Sequence, residues 1–275
     1  MTVNERLSRF FDSENIEYWG VLDYAMAKEI NPHIANRAGF VPKSIIMYLI
    51  PYFVSEGENL SAYATSRDYH LIISELNERL SRVVSDMFPN SQIRGYGDHS
   101  PIDERGAALS LGLGILGENG LLINEKYGSY IFIADLVTSV EPSELSAIEP
   151  KEVLHCIGCK KCLAACPTGI LSGDGCDCLS SITQRKGELL DFEVELMRKF
   201  NTVWGCDECQ RCCPYNENPI ATPISFFHRD RVKRLTPRAL SAMSDEEFST
   251  RAFAWRKRAT VERNLSYFEF AEDEK

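Results

Sequence analysis

The chain has 275 residues, enough for two domains, and its 44% hydrophobic and 25% charged residues are ordinary for a globular protein. A formal net charge of −10 argues against indiscriminate binding to nucleic acid. The polar start MTVNERLSRFF is unlike a secretory signal and no window reaches the roughly 18 apolar residues of a membrane span, so we expect a monomeric cytoplasmic protein without a membrane partner.

Residues 1–148 are predicted to form an α/β domain. Apolar residues at helical spacing predict a helix that begins near Val3 and an amphipathic helix over residues 72–87. Residues 44–53 (SIIMYLIPYF) are typical of a buried strand. The remaining predicted elements of this region are a helix over 104–116 and two strands, 120–124 and 129–138, joined by a turn at Tyr127-Gly128.

Two further regions follow. Residues 149–220 hold all ten cysteines, and we expect bound metal rather than a large apolar core to organise them. Residues 221–275 are predicted to form a helical tail that packs on the core. Thr236 before Pro237 is typical of a helix start, and Ser244 with Glu247 matches a capping box.

The tail also contains a basic segment. Between residues 229 and 263 there are ten Lys or Arg residues against five acidic ones. Such a segment could contact phosphate, although the residues alone favour a solvated helix surface.

The cysteines form two runs typical of bacterial ferredoxins. The first is C-x2-C-x2-C-x3-C followed by proline, and the second is C-x2-C-x3-C followed by proline. In the bacterial pattern, the cysteine before proline binds the other cluster of a pair. A pair of zinc sites is the alternative, but zinc does not require this arrangement of third and fourth cysteines.

The ligands can be assigned on this crossed pattern, since each [4Fe-4S] cluster takes four thiolates. One cluster is predicted to bind Cys156, Cys159, Cys162 and Cys213. The other takes Cys166, Cys206 and Cys209, and needs either Cys176 or Cys178 as its last ligand. Cys212 is a spare thiol on this assignment.

A short acidic loop stands between a predicted strand and a predicted helix at residues 97–105 (GDHSPIDER). Loops at strand ends often carry proton donors. However, Asp98, Ser100 and Asp103 are all favourable helix N-cap residues, and the residues alone favour capping.

Several motifs together resemble the epoxyqueuosine reductase family. They are DHSPIDER at 98–105, RDYH at 67–70, CDECQ at 206–210, CPYN at 213–216 and the segment CLSSIT at 178–183. The resemblance covers roughly residues 40–265. It favours Cys178 over Cys176 as the eighth cluster ligand.

The resemblance implies an α+β protein with a nitroreductase-like α/β domain that holds cobalamin, followed by a ferredoxin-like module with two [4Fe-4S] clusters and a short helical tail. Members of this family are related to reductive dehalogenases. They reduce the epoxide of epoxyqueuosine in the tRNA anticodon stem-loop to queuosine. An external donor of the flavodoxin or ferredoxin type is expected to supply the electrons.

The resemblance also implies roles for individual residues. Asp98 matches the family aspartate that supplies a proton, and Tyr69 is the second predicted catalytic residue. The predicted cobalamin contacts are Tyr63, His70, His99, Ser100 and Pro101. For Tyr63, Tyr69 and His70 the alternative is a buried, hydrogen-bonded structural role. No histidine ligand to cobalt is expected, because the signature D-x-H-x-x-G is absent.

Two departures from the family pattern concern the substrate. Glu118 stands where the family usually has a lysine, and the sequence stops where many members continue into a helical-repeat domain that helps to hold tRNA. These departures keep two alternatives open, a related reductase for a different, small substrate and an electron-transfer protein without a substrate of its own.

Overall fold

The computed structural model describes residues 1–173, 175 and 177–272. It divides into two compact units, each assembled from separate stretches of chain. The first contains residues 1–51 and 70–158, and the second contains residues 52–69 and the chain from 159 onward. In the described residues, no helix has both the length and the apolar character that crossing a membrane requires.

These units differ from the three consecutive regions predicted with boundaries at 148/149 and 220/221. Residues 52–69 belong with the cysteine-rich part because Leu60 and Ala64 are buried in the same core as Trp204. The Ser61 N–H also donates to the Trp204 carbonyl at 2.9 Å. The helical tail shares that core, so it forms one unit with the cysteines.

The first unit is built on an antiparallel sheet of four strands in the order β1-β2-β6-β3. In chain order its elements are α1 (Val3–Ser13), β1 (Trp19–Asp23), α2 (Pro32–Ala38), β2 (Ser44–Pro51), α3 (Tyr69–Met87, whose first residue belongs to the second unit), β3 (Ile93–Gly97), α4 (Glu104–Ser110), β4 (Ile115–Leu116), β5 (Leu122–Ile123) and β6 (Ile131–Thr138). The predicted N-terminal helix, the strand at residue 44 and the amphipathic helix are confirmed.

Helices cover both faces of this sheet. Strand β2 is buried along its whole length, and its successive side chains point to opposite faces. Met47 packs in the core that includes Ala108 of α4. On the other face, the Tyr48 hydroxyl donates to Asn77 Oδ1 of α3 at 2.9 Å, and its ring lies 5.4 Å from that of Phe11 in α1. Burial on both faces explains the continuous apolar run of β2.

In this unit one predicted helix is shorter than expected, and two predicted strands are present but pair with other strands. The helix predicted over 104–116 ends at Ser110, because Gly112 adopts a φ of +71° that helical residues do not have. The strands predicted over 120–124 and 129–138 do not pair with each other: β5 pairs with β4, whereas β6 pairs with β2 and β3. The turn between them is present, since Asn124 and Gly128 exchange backbone hydrogen bonds.

The second unit is helical. Its elements are α5 (Lys161–Ala165), α6 (Leu179–Gln184), α7 (Asp191–Lys199), α8 (Glu208–Arg211), α9 (Pro237–Ala242), α10 (Asp245–Ser249) and α11 (Arg258–Ser266). Both predicted helix starts in the tail are confirmed. Thr236 Oγ1 accepts the Ala239 N–H at 3.1 Å, and Ser244 Oγ accepts the Glu247 N–H at 3.0 Å.

Candidate functional site

The predicted proton donor Asp98 lies in the connection between β3 and α4. Its φ of +63° falls in the left-handed region, which is unfavourable for a residue with a Cβ. Its side chain is 53% exposed, and Oδ2 lies 3.7 Å from Nε2 of His70 near the start of α3. The structure therefore brings two of the predicted site residues together on the first unit and leaves the Asp98 carboxyl accessible.

The capping role falls to a different residue of this loop. Asp103 is the N-cap of α4, and its Oδ1 accepts the Gly106 N–H at 3.1 Å. Asp103 rather than Asp98 is therefore the capping residue of α4.

The other predicted residues of the loop differ in exposure. His99 is exposed, whereas Ser100 and Pro101 are buried. Their carbonyl groups accept hydrogen bonds from Asn31, which also fixes the loop to the start of α2. This burial favours a structural role for Ser100 and Pro101 over direct contact with a cofactor.

Behind the loop lie two carboxyl groups that the sequence analysis did not identify. Asp135, on β6, is fully buried, and its Oδ2 accepts a hydrogen bond from Ser100 Oγ at 3.2 Å. Glu104 is the first residue of α4, which packs against β6, and its carboxyl interacts with the Asp135 carboxyl and with the backbone N–H of Asp98. An acidic residue inside the apolar strand IFIADLVT was the signal that could have revealed this pair.

Both carboxyl groups have shifted pKa values. Burial is the largest cause for each. The charges of Asp135 and Asp98 add to the rise in the pKa of Glu104. The hydrogen bond from Ser100 and the interaction with Glu104 lower the pKa of Asp135, but they only partly offset the burial that raises it.

Tyr63 and Tyr69 lie together in the second unit. Their rings meet edge to face with centroids 6.3 Å apart. The Tyr63 hydroxyl accepts a hydrogen bond from Trp204 Nε1 at 3.1 Å, which agrees with the structural alternative for this residue. The segment that carries both is anchored by Asp207, whose buried Oδ2 accepts the Ala62 N–H at 2.6 Å.

Two sets of the described cysteines in the second unit lie near one another. Cys159, Cys162 and Cys213 are close enough for their charges to interact. Cys178 likewise interacts with Cys206. Helices α5 and α8, which follow the first residues of the two runs, pack against each other. The alternative ligand Cys176 lies outside the described residues, and Cys156 belongs to the first unit.

The surroundings of Cys166 suit a thiolate. Burial alone would raise its pKa, but hydrogen bonds from the backbone N–H groups of Leu171, Thr168 and Gly169 outweigh that effect, and the net shift is downward. Backbone donors around a thiolate are a means by which proteins stabilise iron–sulfur clusters. The grouped thiols and these donors fit a pair of clusters.

The basic segment is less available than its composition suggests. Several arginines are engaged within the second unit. Arg231 donates to Ser55 and Thr65, Arg251 to the Asp230 carbonyl, Arg258 to the Leu240 and Met243 carbonyls, and Arg263 to the Arg185 and Gly187 carbonyls. The exposed cations of the segment are Arg229, Lys233, Arg234, Arg238 and Lys257.

Comparison with known proteins agrees with the cysteine pattern. Residues 155–216 match a family described as a 4Fe-4S double cluster binding domain. This match covers both cysteine runs and the segment between them.

Several proteins of known identity resemble the chain beyond that module. Epoxyqueuosine reductase of Gloeobacter violaceus is 32% identical over 223 residues, which are 75% of this chain and 68% of that protein. The Synechocystis enzyme is 30% identical over 222 residues, covering 74% of this chain and 75% of its own length. The Francisella cf. novicida enzyme is 32% identical over 197 residues, and the match spans 53% of its length.

Solved structures share the fold. The epoxyqueuosine reductase of Streptococcus thermophilus superposes with a TM-score of 0.76 at 24% identity, over 97% of this chain and 80% of that one. An epoxyqueuosine reductase solved with an epoxyqueuosine-modified tRNA-Tyr stem loop gives a TM-score of 0.71 at 21% identity, over 97% and 81% of the two chains. The relatives at 30% identity or more cover both units, and the chain belongs to the epoxyqueuosine reductase family.

Proposed function

We propose that this chain reduces epoxyqueuosine in tRNA to queuosine, with cobalamin and two [4Fe-4S] clusters as cofactors. The observation that carries the proposal is the likeness to named epoxyqueuosine reductases across most of the chain. A relative bound to a modified tRNA stem loop supports the choice of substrate. Two electrons and two protons convert the epoxide to an alkene and water, so the protein must supply both electrons and acid.

The electron path is assigned to the two cysteine groups. One cluster takes Cys156, Cys159, Cys162 and Cys213, and the other takes Cys166, Cys178, Cys206 and Cys209. The proximity of Cys213 to Cys162, and of Cys178 to Cys206, supports the crossed arrangement. An external donor of the flavodoxin or ferredoxin type is proposed to load the clusters.

The acid is assigned to Asp98. Opening an epoxide places negative charge on its oxygen, and a carboxylic acid beside that oxygen can protonate it as the bond breaks. Asp98 is accessible, and its contact with His70 gives its carboxyl a defined neighbour. A Bacillus subtilis relative solved with an aspartate-bearing catalytic loop swung out of its active site also supports an aspartate in this role.

Cobalamin is assigned to the surface that carries the Asp98 loop. When bound, it supplies a low-valent cobalt centre that transfers electrons to the substrate. The exposed side chains of Asp98, His99 and His70 fit the approach of a large polar ligand, because no part of the first unit buries them. Tyr63 and Tyr69 are further proposed contacts of cobalamin.

A related reductase with a small substrate is the second candidate. Glu118 is exposed in the turn between β4 and β5 and places a negative charge where the family has a lysine. Its Oε1 lies beside Gly158, near the start of the cysteine-rich region. A negative charge there, together with the internally bonded arginines, would weaken contact with a phosphate backbone.

The test is anaerobic turnover of an anticodon stem-loop that carries epoxyqueuosine. We expect the protein reconstituted with iron, sulfide and cobalamin to form queuosine when given a chemical reductant. Asp98→Asn should abolish turnover while iron and corrin content stay unchanged, because the amide cannot donate the proton that the epoxide oxygen requires.

Asp86→Asn is the matched control. This change also removes one exposed carboxylate, but near the C-terminal end of α3, whereas Asp98 lies beside His70 at the N-terminal end of that helix. It should leave turnover unchanged. Full cluster and corrin loading without any queuosine would support the small-substrate candidate instead. Unchanged turnover in Asp98→Asn would exclude this residue as the proton donor.

A further inference from the structure

The buried carboxyl groups of Glu104 and Asp135 occupy an unusual position in the first unit. Asp135 lies in the middle of β6, opposite Tyr96 of β3 and Met47 of β2. Asp135 Oδ2 accepts a hydrogen bond from Ser100, but Asp135 Oδ1 and Glu104 Oε1 are both buried without a hydrogen-bond partner. The two carboxyl groups nevertheless interact with each other, because α4, which carries Glu104, packs against β6, which carries Asp135.

A single proton shared by Glu104 and Asp135 would give both unpartnered oxygens a hydrogen bond. Two ionised carboxylates in contact repel each other, and each would leave a buried oxygen unsatisfied. A protonated Glu104 can donate to Asp135, which satisfies both remaining oxygens with a single hydrogen. Carboxyl pairs that share a proton titrate as a unit.

Among the described residues, no positively charged group is identified beside Glu104 and Asp135 that would balance two negative charges in place of a shared proton. The titratable groups that act on Glu104 are Asp98 and Asp135. Tyr24, Tyr48 and Tyr96 surround Asp135 on the turn after β1, on β2 and on β3. Arg79 lowers the pKa of Tyr48 and Arg94 that of Tyr96, and the main causes of the pKa shift of Asp135 in the described structure include no arginine.

The pair is connected to the loop at two points. The Glu104 carboxyl accepts the backbone N–H of Asp98, and Asp135 accepts the Ser100 hydroxyl. These bonds lie on either side of His99 and hold the loop from its buried side. They act at the residue whose φ is +63°, a conformation that persists only when the surroundings hold it.

We propose that Glu104 and Asp135 share one proton and serve as a positioning pair, which fixes the left-handed backbone of Asp98 and so aims its carboxyl outward. The inference rests on the proposed role of Asp98, but the pair's effect on the loop can be measured without substrate. Loss of the shared proton adds a second negative charge, breaks the contact between the two groups and loosens the loop.

The experiment compares Glu104→Gln with Glu104→Ala in the cofactor-loaded protein. Glutamine can donate to Asp135 and accept from the Asp98 N–H at once, so it imitates the protonated state of Glu104. We expect Glu104→Gln to turn over at close to the wild-type rate, and Glu104→Ala to lose about 100-fold, the scale of a loss caused by misplacing a reacting group.

The second readout is hydrogen exchange of residues 98–100 as a function of pH, expressed as protection relative to the unfolded chain. The pair holds its proton below its raised pKa and loses it as the pH rises through that value. In the wild type, the protection of residues 98–100 from hydrogen exchange should therefore fall at pH values above the pKa of the pair. In Glu104→Gln the glutamine has no proton to lose, so the protection should persist at these pH values.

Each result decides a different question. Equal damage in Glu104→Gln and Glu104→Ala, or the same alkaline loss of protection in Glu104→Gln and wild type, would overturn the shared proton. A wild-type protein that makes no queuosine would refute the proposed function, yet the exchange measurement would still test the pair. If Glu104→Ala fails to fold, Glu104→Gln and the wild type still give the decisive comparison.

Discussion

Cys178 and Cys212 differ in their surroundings, although both lie in the second unit. Cys178 is exposed and interacts with Cys206. Cys212 donates its thiol hydrogen to the Cys209 carbonyl at 3.6 Å. Burial, followed by the nearby Cys162 and Cys213, raises the pKa of Cys212. Cys178 therefore lies beside a proposed ligand of its own cluster, whereas the Cys212 thiol is engaged with a backbone carbonyl.

Serine substitution of these two residues should have different consequences. We expect Cys178→Ser to lose one cluster and bind about four iron atoms per chain, because one cubane then lacks a thiolate. Cys212→Ser should keep about eight, since its thiol is spare. Iron analysis and electron paramagnetic resonance after anaerobic reconstitution measure both. If Cys212→Ser loses a cluster and Cys178→Ser does not, the assignment of the eighth ligand is wrong.

At the scale of single residues, the sequence predicts the cluster ligands but not the buried pair Glu104 and Asp135. Cysteine spacing is a local pattern, so the two runs could be read directly. Asp98 could be selected over Asp103 only through the resemblance, because both are favourable capping residues. Glu104 and Asp135 lie 31 positions apart, and only the pairing of β6 with β3 brings them together.

At the scale of the elements, a single glycine, Gly112, determines where α4 ends. The apolar pattern from residue 104 to 116 continues past Ser110, yet the helix stops because Gly112 has a φ of +71°. The chain then turns into β4, which pairs with β5. Periodicity reports which residues are buried but not where the backbone changes direction, so the strand pairing could not be read from the pattern.

Replacement of Gly112 should therefore be destabilising. We expect Gly112→Ala to lower the free energy of unfolding by about 1–2 kcal/mol, the cost of a left-handed residue with a Cβ. The added Cβ would also lie 2.7 Å from Lys151 Cδ, a flexible side chain that can move away. Gly112→Asn is the control, because asparagine tolerates this conformation better and should lose less. Urea unfolding followed by circular dichroism compares them, and equal losses would contradict the backbone explanation.

For the whole molecule, the main feature is that neither unit is a continuous stretch of chain. Residues 52–69 supply part of the core around Trp204 and Phe253. Asp68 N–H donates to the Thr250 carbonyl at 2.7 Å, and Arg67 pairs with Arg251 as an isolated bridge. Composition and cysteine position could separate the regions of the sequence, but no local pattern marks a segment that belongs to a distant core.

A fragment of residues 155–275 tests this division. It contains every proposed cluster ligand, but it lacks Leu60, Ala64 and the bonds that Ser61 and Ala62 make. We expect it to show no cooperative thermal transition by circular dichroism after anaerobic reconstitution. Fusing residues 52–69 to its N-terminus through a flexible linker should restore the transition.

The control is a fusion that carries the same residues in scrambled order. If the fragment alone melts as cooperatively as the fusion, the segment is not needed for the second unit to fold.

The threading of residues 52–69 also sets an order of events during synthesis. Ala64 and Phe253 share a core but are separated by nearly 190 positions, so at about 5–20 residues per second their emergence differs by on the order of ten seconds or more. The sheet of the first unit is complete once β6 has been made, whereas the segment before α3 meets its first partners only around Trp204 and Asp207, and its core is complete only with the last helices. A chaperone that recognises exposed apolar chain would therefore find residues 52–69 on the nascent protein well after the first unit has folded.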